Sequence, residues 1–105
     1  MNPDDVFEEI AAELAPRGAI AGAMFGKRSL KSGGKAFACL LGDDLAVKLG
    51  AGSAEHTAAL TLTGACLFDP SGLGRPFKDW VAVPAEHADR WPDLAQQALE
   101  ALAAA

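Results

Sequence analysis

A chain of 105 residues, half of them apolar and 22% charged, is long enough for one hydrophobic core and too apolar to remain disordered. Its net charge of −5 repels polyanions at long range, so direct binding of DNA is not expected unless a local basic face overrides that average. The acidic start MNPDDVFEEI lacks the cations of a signal peptide, and no apolar run approaches the ~20 residues of a membrane span, so a single cytoplasmic domain over residues 1–105, without membrane contact, is expected.

Val6, Phe7, Ile10, Ala11 and Leu14 recur at helical spacing, and Asp4, Asp5, Glu8 and Glu9 suit the positive end of a helix dipole. This helix should stop at Ala15, Pro16 and Gly18. AIAGAMF and KAFACLL are short and apolar enough to be strands, and Gly42 with Asp43 turns the chain into DLAVKL. That hairpin places Leu45, Val47 and Leu49 on one face. Ser53 can cap a short helix, AEHTAALTL, that ends near Gly64. ACLFD and DWVAVP read as two more strands around a glycine-rich connection. Trp91, Leu94, Ala95, Ala98, Leu99 and Leu102 follow helical spacing to the end of the chain, with Pro92 marking a start or a kink. The order α-β-β-β-α-β-β-α predicts an α+β fold, one mainly antiparallel sheet with helices packed against it.

The stretch GKRSLKSGGK has the composition of a phosphate-binding loop, and its spacing tests that reading. A Walker-type loop needs G-x-x-x-x-G-K-[ST] leading into a helix, whereas Lys35 is followed by Ala36, Ser29 stands where the first glycine should be, and a strand follows. Ser32, Gly33 and Gly34 are then a turn between strands, with Lys27, Arg28, Lys31 and Lys35 in water. These four form a candidate basic patch for an acidic partner, since residues 17 to 48 hold six cations against Asp43 and Asp44 alone.

No catalytic constellation emerges. Cys39 and Cys66 sit in apolar runs, where free cysteine is a small buried hydrophobe and its thiol is protonated and inert. His56 and His87 occur in Ala-Glu-His contexts that read as solvent-facing, and neither H-E-x-x-H nor paired C-x-x-C spacing is present, so neither a metal nor a cofactor is expected. The segment GLGRPFKDWVAVP sets Arg75 and Lys78 beside Phe77 and Trp80, a combination suited to a carboxylate or phosphate. The plainer reading gives the aromatics to the core and the cations to water. Lys48, inside the apolar LAVKL, must reach water or an acid and completes the candidate ligand or partner site of Lys48, Arg75, Phe77, Lys78 and Trp80.

AMFG, a short stretch containing Leu30, GGKAFACL, LAVKL and later GRPFKDWVAVP, in this order and spacing, resemble the TfoX N-terminal domain of the TfoX/Sxy family, from about Met24 to the last helix. The resemblance implies a secretion-chaperone-like arrangement of helices and sheet and a link to bacterial competence regulation. Larger regulators of that family carry a second, C-terminal domain, so a stand-alone member is expected here. The chain departs from many relatives in having no tyrosine. No catalytic residues come with the resemblance. The expectation is a non-enzymatic binding or regulatory module acting through a protein partner or a small ligand, with a homodimer compatible with the sequence. The alternative is a small enzyme of unrecognised type using the Arg75 to Trp80 region.

Overall fold

The computed structural model describes residues 2–24, 26–69, 72, 74 and 76–104. Among these, the chain forms α1 (Pro3–Leu14), β1 (Ile20–Met24), β2 (Lys27–Ser32), β3 (Lys35–Leu41), β4 (Asp44–Lys48), α2 (Ala54–Leu60), β5 (Cys66–Phe68), β6 (Phe77–Pro84) and α3 (Trp91–Ala104). Short 3-10 turns follow α1 and precede α3. The strands make one antiparallel sheet in the order β1-β2-β3-β4-β6-β5, giving the expected α+β fold.

The helices begin and end where local chemistry dictates. Asn2 accepts the Asp4 N–H at the start of α1, and Ser53 accepts the His56 N–H at the start of α2. After α1, the turn Ala15–Arg17 closes on Gly18 in the left-handed region, which glycine enters without a steric penalty. Pro92 falls in the first turn of α3, where its missing N–H costs nothing, so it marks a helix start and not a kink.

One strand stands where the sequence suggested a loop. KRSLKS lacks alternating apolar residues, yet it pairs with β1 on one side and β3 on the other as β2. The turn out of β2 is built by Gly33 and Gly34, at φ 60° and 80°, the paired positive angles of a tight hairpin that matches strand twist. Leu30 faces the helices and is fully buried, which anchors β2 despite its charge.

The main core lies between the sheet and the helices. Phe7, Ile10 and Leu14 from α1 and Trp91, Leu94, Ala95 and Ala98 from α3 meet Leu30, Phe37, Leu45, Val47, Val81 and Val83. Leu45, Val47 and Leu49 share the helix side, as their alternation requires. In β3, Leu30 pairs with Ala38 and Lys31 with Ala36, so Phe37 is an extra residue. This bulge lets both Phe37 and Ala38 enter the main core. On the other side of the sheet, Cys39, Ala46, Phe68, Trp80 and Ala82 form a second buried cluster.

Candidate functional site

The hairpin of β2 and β3 separates its four cations into two kinds. Arg28 does not stand in water: its guanidinium is held by Glu8 and by Asp4 at 3.3 Å, and lies 4.9 Å from the centre of the Phe7 ring. The hydrogen bond it donates to Glu8, and the one to Asp4, raise its pKa further despite some desolvation. Arg28 therefore ties α1 to β2 and is not an available binding cation. Lys27, Lys31 and Lys35 have no ion pair among the described residues, and Lys27 and Lys35 are exposed while Lys31 is half-buried. Lys31 runs across β1, since the point a β-carbon would occupy on Gly22 lies 3.4 Å from its Cε and 3.7 Å from its Nζ.

The second candidate group is only partly brought together. Lys48 and Trp80 are cross-strand partners between β4 and β6. Phe68 packs against both Phe77 and Trp80, with ring centres 6.0 and 5.7 Å apart. An irregularity between Leu67 and Phe68 pairs Phe68 with Phe77, which is how one ring reaches two aromatics of β6. Trp80 is buried and so belongs to the second cluster, whereas Phe77 and Lys78 are exposed. Arg75 lies outside the described residues. A hollow of about 250 Å³ is lined by Lys48, Gly50, Asp79, Ala101 and Leu102, but Phe77, Lys78 and Trp80 do not line it. Two adjoining depressions, 170 and 270 Å³, share Glu55 and Gln97 between α2 and α3; the smaller is also lined by Arg90 and Asp93 and the larger by Glu100.

Several polar residues that look chemical are engaged in holding loops. His56 is buried, not solvent-facing: its Nε2 donates to the Lys78 carbonyl at 2.7 Å, fastening α2 to β6. The His87 Nε2 donates to the Thr63 carbonyl at 2.9 Å. The Asp79 carbonyl accepts from Leu49 and Gly50, and its carboxylate accepts the Ala51 N–H at 2.8 Å, so one residue fixes the exit of β4. Asp69 accepts the N–H groups of Gly72 and Gly74 and shapes the start of the β5–β6 connection. Asp69 carried the signal of an aspartate just before glycines, the usual local turn chemistry, whereas Asp79 carried none, because the amide its carboxylate accepts lies 28 residues earlier.

The two cysteines differ. Cys39 is fully buried, and burial pushes its thiol pKa up, with Lys27 acting weakly in the opposite direction. Cys66 is exposed, against the expectation of a strand core, because β5 is an edge strand of three residues. Both belong to a row of small residues across the sheet, Ser29, Cys39, Ala46, Ala82 and Cys66, each opposite the next. Two intervening strands at about 4.8 Å spacing keep the sulfurs beyond disulfide reach. In the same row the Ser29 hydroxyl is buried without a hydrogen-bond partner among the described residues.

Among the described residues, no group of three or more His, Cys, Asp and Glu side chains could hold a metal ion. No model of a protein family, no curated protein and no solved structure matches this chain.

Proposed function

We propose that this chain is a non-enzymatic binding or regulatory module of the kind that the resemblance to the TfoX N-terminal domain implies, working in the cytoplasm through contact with a protein partner or a small ligand. The observation that carries this reading is the β2–β3 hairpin, which presents Lys27, Lys31 and Lys35 without ion pairs among the described residues on a chain of net charge −5. A basic surface on an acidic molecule steers an acidic partner to one place. The engagement of His56, His87 and Asp79 in loop fastening agrees with it, since none of them is poised for proton transfer to a substrate. Any role in competence or transcription would then run through a bound protein and not through DNA, because the hairpin offers only three lysines to a duplex and none of the described helices is basic.

Capture of binding proteins from a bacterial lysate tests this. The folded variant Lys27→Glu, Lys31→Glu, Lys35→Glu should lose a protein that the unaltered chain retains. Retention of that protein by the variant, with loss on Lys48→Glu, Lys78→Glu instead, would move the site to the adjacent strands β4 and β6. Micromolar, salt-sensitive binding of mixed-sequence duplex DNA in fluorescence anisotropy would overturn the protein-contact reading.

A further inference from the structure

β1 is an edge strand whose own residues carry none of the usual protection. Its five residues Ile20–Met24 contain no charge and no proline, its register with β2 is uninterrupted, and residues 20–23 are exposed, Ile20 to 66%. The opposite edge, β5, is three residues long and irregularly paired, a common way of blunting an edge. Two residues separate Met24 from Lys27, so these form the hydrogen-bonded pair that closes the hairpin. Pairs alternate along an antiparallel ladder, so Gly22 and Ile20 also bond to β2, while Ala21 and Ala23 turn their N–H and C=O groups outward.

The charge beside that edge selects what can join it. Gly22 has no side chain, and Lys31 lies over it with Nζ 3.7 Å from the position of a β-carbon, so an ammonium stands at the rim of the sheet. A strand added at about 4.8 Å places the side chain opposite Gly22 on the same face, within reach of that ammonium. A second copy of the chain paired antiparallel and centred on Gly22, the middle of the strand, would bring two Lys31 ammoniums together at the axis, a like-charge contact. An extended segment with a carboxylate opposite Gly22 and an apolar side chain opposite Ile20 satisfies both features.

We propose that β1 takes up an extended acidic segment of a partner protein as a seventh strand, through the outward groups of Ala21 and Ala23 and the Lys31 ammonium. The proposal rests on the binding-module reading and specifies its contact: main-chain bonds supply affinity and Lys31 supplies selectivity.

The probe is a short blocked peptide of alternating threonine and valine with glutamate replacing the central valine, titrated into the isotope-labelled protein. The amide signals of Ala21 and Ala23 should shift and their hydrogen exchange should slow, while the counterpart peptide with lysine at the centre should bind about tenfold more weakly or not at all. Lys31→Glu should reverse the preference between the peptides. Ala21→Pro, which removes an outward N–H at a position an edge strand tolerates, should abolish binding of both. Equal binding of the two peptides, shifts confined to other surfaces, absence of binding at millimolar peptide, or a concentration-dependent dimer lost on Ala21→Pro would each overturn the proposal. Lysate capture by the hairpin lysines combined with no peptide effect at β1 would refute strand addition while leaving the binding module standing.

Discussion

The Arg28 guanidinium sits over the Phe7 ring, 4.9 Å from its centre, and is held there by Asp4 and Glu8 of the same helix. A half-exposed cation thus joins α1 to β2 by charge and by contact with an aromatic face. Arg28→Ala should destabilise the fold by about 1 kcal/mol, the usual scale of a part-exposed ion pair with a cation–π contact. Arg28→Lys should recover less than half of it, because an ammonium cannot serve two carboxylates in a fork. Urea unfolding in low and high salt is the measurement, and a loss insensitive to both salt and lysine replacement would assign the effect to packing alone.

The thiols should separate in a labelling experiment. Cys66 should react with an aromatic disulfide reagent in the native protein at once, whereas Cys39, buried and with its pKa raised by desolvation, should react only on unfolding. Fast modification of both in the native state would show that the second cluster opens readily.

Trp91 is fully buried in the main core at the start of α3, and its Nε1 finds no acceptor among the described residues. Trp91→Ala should cost about 3–5 kcal/mol, as large core truncations do. Trp91→Phe should cost much less, because the loss of volume is offset by removal of an unpaired buried donor. An alanine effect under about 1 kcal/mol, the range of surface sites, would contradict the docking of α3.

Asp44 is half-buried beside Asp43 at the turn into β4, and burial first, then the neighbouring charge, raises its pKa. A carboxyl whose folded pKa exceeds its unfolded value favours the fold most below the unfolded pKa. That contribution is lost as pH rises through the folded pKa. Asp44→Asn should therefore stabilise the protein at about pH 7 and lose this advantage below about pH 3, where both forms are neutral. Thermal unfolding at the two pH values reads the difference, and an advantage that persists in acid would point to a cause other than ionisation.

Periodicity made α1, α3 and the face of Leu45, Val47 and Leu49 legible, because each buries one regular stripe. Ser53 and Pro92 were readable because capping is decided within one turn. β2 was not, since its one core residue with strong apolar character is Leu30 and the charge of Arg28 is neutralised by residues 20 and 24 positions earlier. The same holds for His56, whose burial depends on a carbonyl 22 residues away in β6. Of the candidate site, the sequence showed which lysines cluster, but not that Arg28 is committed to α1 or that Trp80 is enclosed by Phe68. Such pairings are set by register and tertiary contact, to which a local pattern is blind.

The order of strands also dictates an order of assembly. Among β1 to β4 every pairing joins neighbours in sequence, whereas β6 must bring residues 80–84 back to residues 44–48 before β5 has an edge to pair with. Loop closure of that length is entropically slow compared with hairpin formation. The four-strand meander therefore belongs to the early part of the folding reaction, and the β4–β6 seam sets its rate. Changes at Val47 or Val81, which face each other across this seam, should slow refolding, while changes in β5, which pairs only with β6 and so docks afterwards, should mainly speed unfolding.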